Sequence, residues 1–199
     1  MSRWRPHALP VAAAIVLSLP GAPGALAQSA LVNGHTVTLV SATPAGTAGS
    51  GQSYGGAAHA AGSGACIVFG SLASDLTALD ANAVADVFVR EGGVTTLESR
   101  ASDGAQGDGP SDIWNGMAAS GGCRVVAFAS RATNLGPGEI DGRQHVFVRD
   151  RDAATTTRVA LPAGDPGALR DAGSPSLSED GRWLAFDTAV DPLLGAGQV

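Results

Sequence analysis

Val87-Phe88-Val89-Arg90 recurs 59 residues later as Val146-Phe147-Val148-Arg149. The same offset relates Ile67-Val68-Phe69 to Val126-Ala127-Phe128, and Leu76 to Leu135. A third copy opens with Trp183-Leu184-Ala185-Phe186, where Phe186 follows Phe128 by 58 residues. Repetition at a fixed period of this size is the mark of a repeat architecture.

Within each copy, short runs of alternating apolar residues are divided by Gly, Asp, Asn and Ser. That is strand punctuation, with no helical period. The second copy predicts strands at 116–119, 124–129, 145–150 and 155–160. The first predicts 56–60, 66–70, 86–90 and 95–99, and the third begins with 174–178 and 182–187. Alternation sets Val87 and Val89 on one face and Phe88 on the other. The Val-Ala-Phe type of strand is apolar on both faces, as an inner strand should be. Four short strands per repeat without intervening helices predict an all-β fold, an incomplete β-propeller of four-stranded antiparallel blades in about two and a half repeats of 59 residues. A β-sandwich is the rival, but it needs no long self-repeat.

Ser178-Glu179-Asp180-Gly181-Arg182-Trp183-Leu184-Ala185-Phe186 resembles the signature turn and strand of the TolB-type (WD40-like) propeller repeat. Ala132-Thr133-Asn134-Leu135 and Val146-Phe147-Val148-Arg149-Asp150 are similar to further stretches of exported bacterial relatives. The resemblance covers about residues 56–190. The first copy departs from it with Gly62-Ser63-Gly64-Ala65 at the turn, and the second with Gly121-Gly122-Cys123-Arg124. It implies a binding or scaffolding role in the periplasm or outside the cell. The alternative it implies is a truncated piece of a propeller-containing hydrolase, a peptidase or polysaccharide-active enzyme, whose catalytic part is absent.

Residues 1–27 read as a secretory signal peptide: Arg3 and Arg5, a short apolar stretch from Ala8 to Leu19, then Ala25-Leu26-Ala27 before Gln28. The apolar stretch is shorter than the roughly 20 residues needed to span a bilayer. Residues 28–199 are then the partial propeller, with an N-terminal strand at 35–40 and repeats at about 56–100, 115–160 and 174–199. The 35–40 segment matches the fourth strands of the repeats, as in propellers closed by their N-terminal strand. The Val-Phe-Val-Arg segment of the third copy would fall beyond Val199. The expectation is the N-terminal part of a longer propeller, or self-association through open blade edges.

The chain of 199 residues carries a net charge of −6, and all 12 basic residues are Arg. An acidic balance argues against nucleic acid as a partner, and no stretch suits stable membrane insertion. A protein partner is expected, of unknown identity. Cys66 and Cys123 are candidates for a disulfide in an oxidising compartment, with two separate buried thiols as the alternative.

Four features bear on chemistry. Gly51-Gln52-Ser53-Tyr54-Gly55 matches G-x-S-x-G, yet no helix follows to expose Ser53 as a nucleophile. His35, His59 and His145 have no zinc-binding spacing. Asp80, Asn82 and Asp86 place oxygens as a calcium loop partly does, against the reading of a solvated loop with Asx turns. Arg90 and Arg149-Asp150-Arg151-Asp152 are expected as exposed ion pairs guarding a strand end. No catalytic residue and no cofactor is assigned, and the chain is read as a non-enzyme.

Overall fold

The computed structural model describes residues 15–18, 29–32, 35–61, 64–111, 116–136, 143–159 and 171–188. Most of the expected leader, the 137–142 part of the second acidic loop and the residues after 188 lie outside them.

The chain is all-β, and one 3₁₀ turn at Gly121–Cys123 is the only helical element among the described residues. Strands β1 (Ile15–Ser18), β2 (Ser29–Val32) and β3 (His35–Leu39) form a small antiparallel sheet in the order β1-β3-β2. The first four-stranded sheet holds β4 (Ser53–Ala61), β5 (Gly64–Ser71), β6 (Asp86–Glu91) and β7 (Val94–Leu97). The second holds β8 (Met117–Ala119), β9 (Val125–Ser130), β10 (His145–Asp150) and β11 (Thr155–Arg158). A third, two-stranded sheet holds β12 (Ala172–Leu177) and β13 (Leu184–Thr188). Strands neighbour one another in chain order within the repeated sheets, and all pair antiparallel. The expected strand at 56–60 begins earlier, at Ser53, because Ser53 already pairs with Ser71.

The repeat shows in register as well as in sequence. Phe69 sits opposite Phe88, and Phe128 sits opposite Phe147. Ring centroids in the two pairs are 5.6 and 6.0 Å apart, both near parallel. Alternation sends these rings to one face of their sheet and, in the first sheet, Val68, Val87 and Val89 to the other. Cys66, Val68, Val87 and Val89 of the first sheet therefore meet Ala132, Leu135, Phe128 and Phe147 of the second in one buried cluster. On the opposite face of the first sheet, Phe69, Phe88, Ala73 and Leu76 enclose Val40, next to β3. Each repeated sheet thus offers an aromatic face backward along the chain and a smaller-residue face forward.

The first strands of the three repeated sheets gather together. β8 lies against β4 on one side and β12 on the other. Gly56 makes this approach feasible: a Cβ there would come within 2.6 Å of the Val68 carbonyl and 2.8 Å of the Met117 side chain. Gly56 is therefore a packing requirement where the sheets converge.

The corners between sheets are copied too. Ser71 Oγ accepts from Ala73 N and contacts Ser53 Oγ, while Ser130 Oγ accepts from Ala132 N and contacts Ser111 Oγ. Leu72 N donates to Gln52 O as Arg131 N donates to Pro110 O. These hydroxyls satisfy backbone groups where the chain leaves the ladder, and burial demands that satisfaction.

Candidate functional site

The joint between the first and second sheets holds Arg149, Arg151, Cys66 and Cys123 of the residues singled out from the sequence. Arg90 and Arg149 correct the expectation of exposed pairs. Arg90 is 7% exposed and Arg149 only 1%. Each lies on the third strand of its sheet and reaches back to a carbonyl of the preceding segment: Arg90 Nη1 to Ala42 O at 3.3 Å, Arg149 Nη1 to Ala101 O at 3.4 Å. A threonine hydroxyl takes a second bond, Thr95 Oγ1 from Arg90 and Thr156 Oγ1 from Arg149. The long Arg stem packs in the interior while its head serves backbone oxygens.

In the second sheet a buried carboxylate joins this arrangement. Glu98, 3% exposed, lies 3.6 Å from Arg149 Nε and 3.0 Å from Arg151 Nε. Arg151 Nη1 also meets Glu91 Oε2 and donates to the Cys123 carbonyl, both at 3.2 Å. Burial lowers the Arg149 pKa and the nearby Arg100 adds to that, while Glu98 opposes it. Asp150 does match the exposed reading, pairing with Arg124 at 2.6 Å on the surface.

Asp80, Asn82 and Asp86 are brought together, but around an amide. Gln106 Nε2 donates to Asp80 Oδ1 at 2.8 Å and to Asp86 Oδ2 at 3.0 Å. Ser99 Oγ donates to Asp86 Oδ1, Asn82 Nδ2 donates to Gly107 O, and Asn82 Oδ1 accepts from Val84 N. Burial pushes the Asp86 carboxyl up to about 6, and the Ser99 hydrogen bond partly offsets this. Calcium requires about 6–8 oxygens. These three side chains fall short of that number, and N–H donors face their oxygens, so the residues present do not fit calcium. Among the described residues no group of three or more His, Cys, Asp or Glu is arranged to hold a metal ion.

Cys66 and Cys123 are disulfide-bonded, with Cα atoms 6.0 Å apart and both residues fully buried. The bond runs from β5 to the 3₁₀ turn ahead of β9, and so staples the first sheet to the second. Ser53 sits at the start of β4, buried, with its hydroxyl 2.9 Å from Ser71 Oγ, and a strand follows it. His59 Nδ1 lies 3.3 Å from Glu179 Oε2 in the turn before β13. His145 opens β10, where Asp86 opens β6, and is buried. The side chain of His35 is outside the description.

Gln106 and Glu98 were not singled out from the sequence. A lone Gln in a Gly-rich loop carries no local signal. Glu98 had one in principle, since Val40 holds the corresponding place after β3, and an acidic residue at a buried repeat position asks for a cation.

No family model, no curated protein and no solved structure matches this chain. No helix among the described residues is long and apolar enough to cross a membrane.

Proposed function

We propose that the chain is a segment of a TolB-type β-propeller, exported to the periplasm or cell exterior, that serves as a protein-binding or scaffolding module. The observation that carries the architecture is the position of β8 between β4 and β12. First strands gathered at one place, with sheets stacked face to face away from it, is the arrangement of blades about an axis. A third stacked sheet also exceeds the two layers of a sandwich.

The binding role is supported by what the repeats keep and what they vary. Phe69 and Phe128, Leu76 and Leu135, Ser71 and Ser130, and Arg90 and Arg149 preserve the frame. The connection ahead of the third strand differs: Asp80 to Ala85 in the first repeat, Glu139 to Gln144 in the second. A constant frame with differing loops suits recognition. A buried disulfide is consistent with export to an oxidising compartment.

The test is affinity capture from periplasmic extract with the full chain and with a variant whose 80–85 loop is replaced by 139–144. A partner retained by the first and lost by the second supports the module reading. Hydrolysis of peptide or polysaccharide substrates above blank by the purified chain overturns it in favour of an enzyme.

A further inference from the structure

Two turns in this molecule share one hydrogen-bond pattern, although only the first has a positive φ at its third residue, Gly122. Cys123 N donates to Ser120 O at 2.8 Å, and Gly181 N donates to Ser178 O at 2.9 Å. Ser120 N donates to Val125 O, and Ser178 N donates to Trp183 O. The serine hydroxyl accepts from Val125 N in one and from Trp183 N in the other, at 3.0 Å in both. Cys123 therefore occupies the place of Gly181, and each has positive φ, 50° and 69°. Glycine adopts that conformation freely, whereas other L residues avoid it.

The neighbours match as well. A Cβ on Gly181 would lie 3.2 Å from Val125 Cγ2. Val125 is the repeat counterpart of Cys66, 59 residues on, and Cys66 is the residue bonded to Cys123. The first joint has thus replaced a Gly-on-Val contact with a covalent bond at the same point. That point is also a node. The Cys123 carbonyl accepts from Arg151, whose Nη1 also meets Glu91 of the first sheet. Gly121 N donates to Glu179 O of the third copy's turn at 2.8 Å.

We propose that the Cys66–Cys123 bond is a covalent lock that holds Cys123 at a positive φ which a non-glycine residue disfavours, and through it fixes the first two sheets and the third copy's turn. Both sulfurs are buried, so a thiol reductant opens the bond when the chain is unfolded, by a two-electron exchange. The S–S bond breaks, two S–H groups form on the protein, and two reductant thiols become a disulfide. Left reduced, Cys123 loses its tether and keeps the unfavourable φ. The turn then loosens first. This inference stands apart from the binding role, since it concerns the fold alone.

The test uses the full chain as oxidised wild type, wild type after refolding with dithiothreitol, C66S/C123S and C66S/C123G. Melting temperature and hydrogen exchange of the 120–125 and 178–183 turns are read for each. Closing a loop of this length predicts a fall in Tm of roughly 10 °C for reduced protein and for C66S/C123S. Exchange in 120–125 rises at least tenfold, with a smaller rise in 178–183. C66S/C123G recovers part of the Tm loss because glycine accepts the turn. Two free thiols in the native wild type, an unchanged Tm on reduction, or equal losses in the glycine and serine variants each overturn the proposal. Should C66S/C123S fail to fold, exchange in reduced wild type decides: a uniform rise across all sheets overturns the local lock.

Discussion

The first and second joints are built on one plan and finished differently. At the first, the second sheet's Phe128, Phe147 and Leu135 fill the forward face of the first sheet, and a disulfide and a buried Arg–Glu network close the rim. At the second, Gly121 N donates to Glu179 O, Ala172 N donates to Gln144 O, and Asp171 accepts from Gln144 N, while Glu179 also reaches His59 of the first sheet. Neither a disulfide nor a buried ion network is recorded there among the described residues. Trp183 is 73% exposed, although its repeat counterpart Val125 is buried. Similar second strands, Val126-Ala127-Phe128 and Leu184-Ala185-Phe186, therefore sit in unequal joints. What differs is carried by a few residues outside the strands' alternating pattern: Cys123, Glu98 and Arg151.

The largest expected effect strikes the aromatic packing of the first joint. Phe147→Ala removes a fully buried ring from the first joint and should cost about 3–5 kcal/mol in urea unfolding. A loss below about 1 kcal/mol would show that the aromatic faces are not what holds the sheets together.

The ion network comes next. Glu98→Ala leaves Arg149 buried, with its carboxylate partner gone, and should cost about 3 kcal/mol or more. Glu98→Ala combined with Arg149→Met should recover much of that. If the double variant is as unstable as the sum of the singles, the pair is not coupled and the contrast between joints rests on the disulfide alone.

Asp86 sharpens the comparison through pH. Its carboxyl is raised from 3.8 to about 6, so the folded state holds a proton that the unfolded chain has released. The associated stability is complete below the unfolded value and lost as pH rises through the folded one. That loss amounts to about 3 kcal/mol between roughly pH 4 and pH 7. Asp86→Asn should flatten this part of the stability profile, and an unaltered slope would place the titration elsewhere. The second sheet has His145 at the corresponding position, so it lacks this acid.

Gly181→Ala tests the second joint's turn. Its φ of 69° and the 3.2 Å approach to Val125 predict a loss of about 1–2 kcal/mol. The pair Val125→Cys with Gly181→Cys should copy the first joint onto the second, read as the loss of two hydrogens in non-reducing mass spectrometry. The smallest effect belongs to Arg124→Ala, which removes an exposed pair and should change stability by about 0.5 kcal/mol or less.

Strand identity and pairing were legible because Val-Phe-Val alternation and the 59-residue offset are local signals read twice over. The side chains on each face followed from the same alternation. Arg90 and Arg149 were misread because a charged residue at a strand end is ordinarily solvated. Only the third dimension supplies the Ala42 and Ala101 carbonyls that receive them. Asp80 and Asp86 were rightly grouped, but their donor, Gln106, lies across a connection with no pattern of its own. The Cys pair stayed undecided because its 57-residue separation falls outside the repeat offset. It becomes intelligible once Cys123 is matched to Gly181.

The segment after β7 belongs to both sheets at once. Arg100 O accepts from Thr156 Oγ1, Ser102 Oγ exchanges two bonds with the Thr156 backbone, and Ala101 O accepts from Arg149, while Gln106 a few residues later is tied to Asp80 and Asp86 of the first sheet. The exposed tip between them, Asp103 and Gly104, therefore bridges two anchored strips. A protease cutting at that tip would yield fragments that stay clasped under native conditions, and the same site would serve for a circular permutation or an inserted domain.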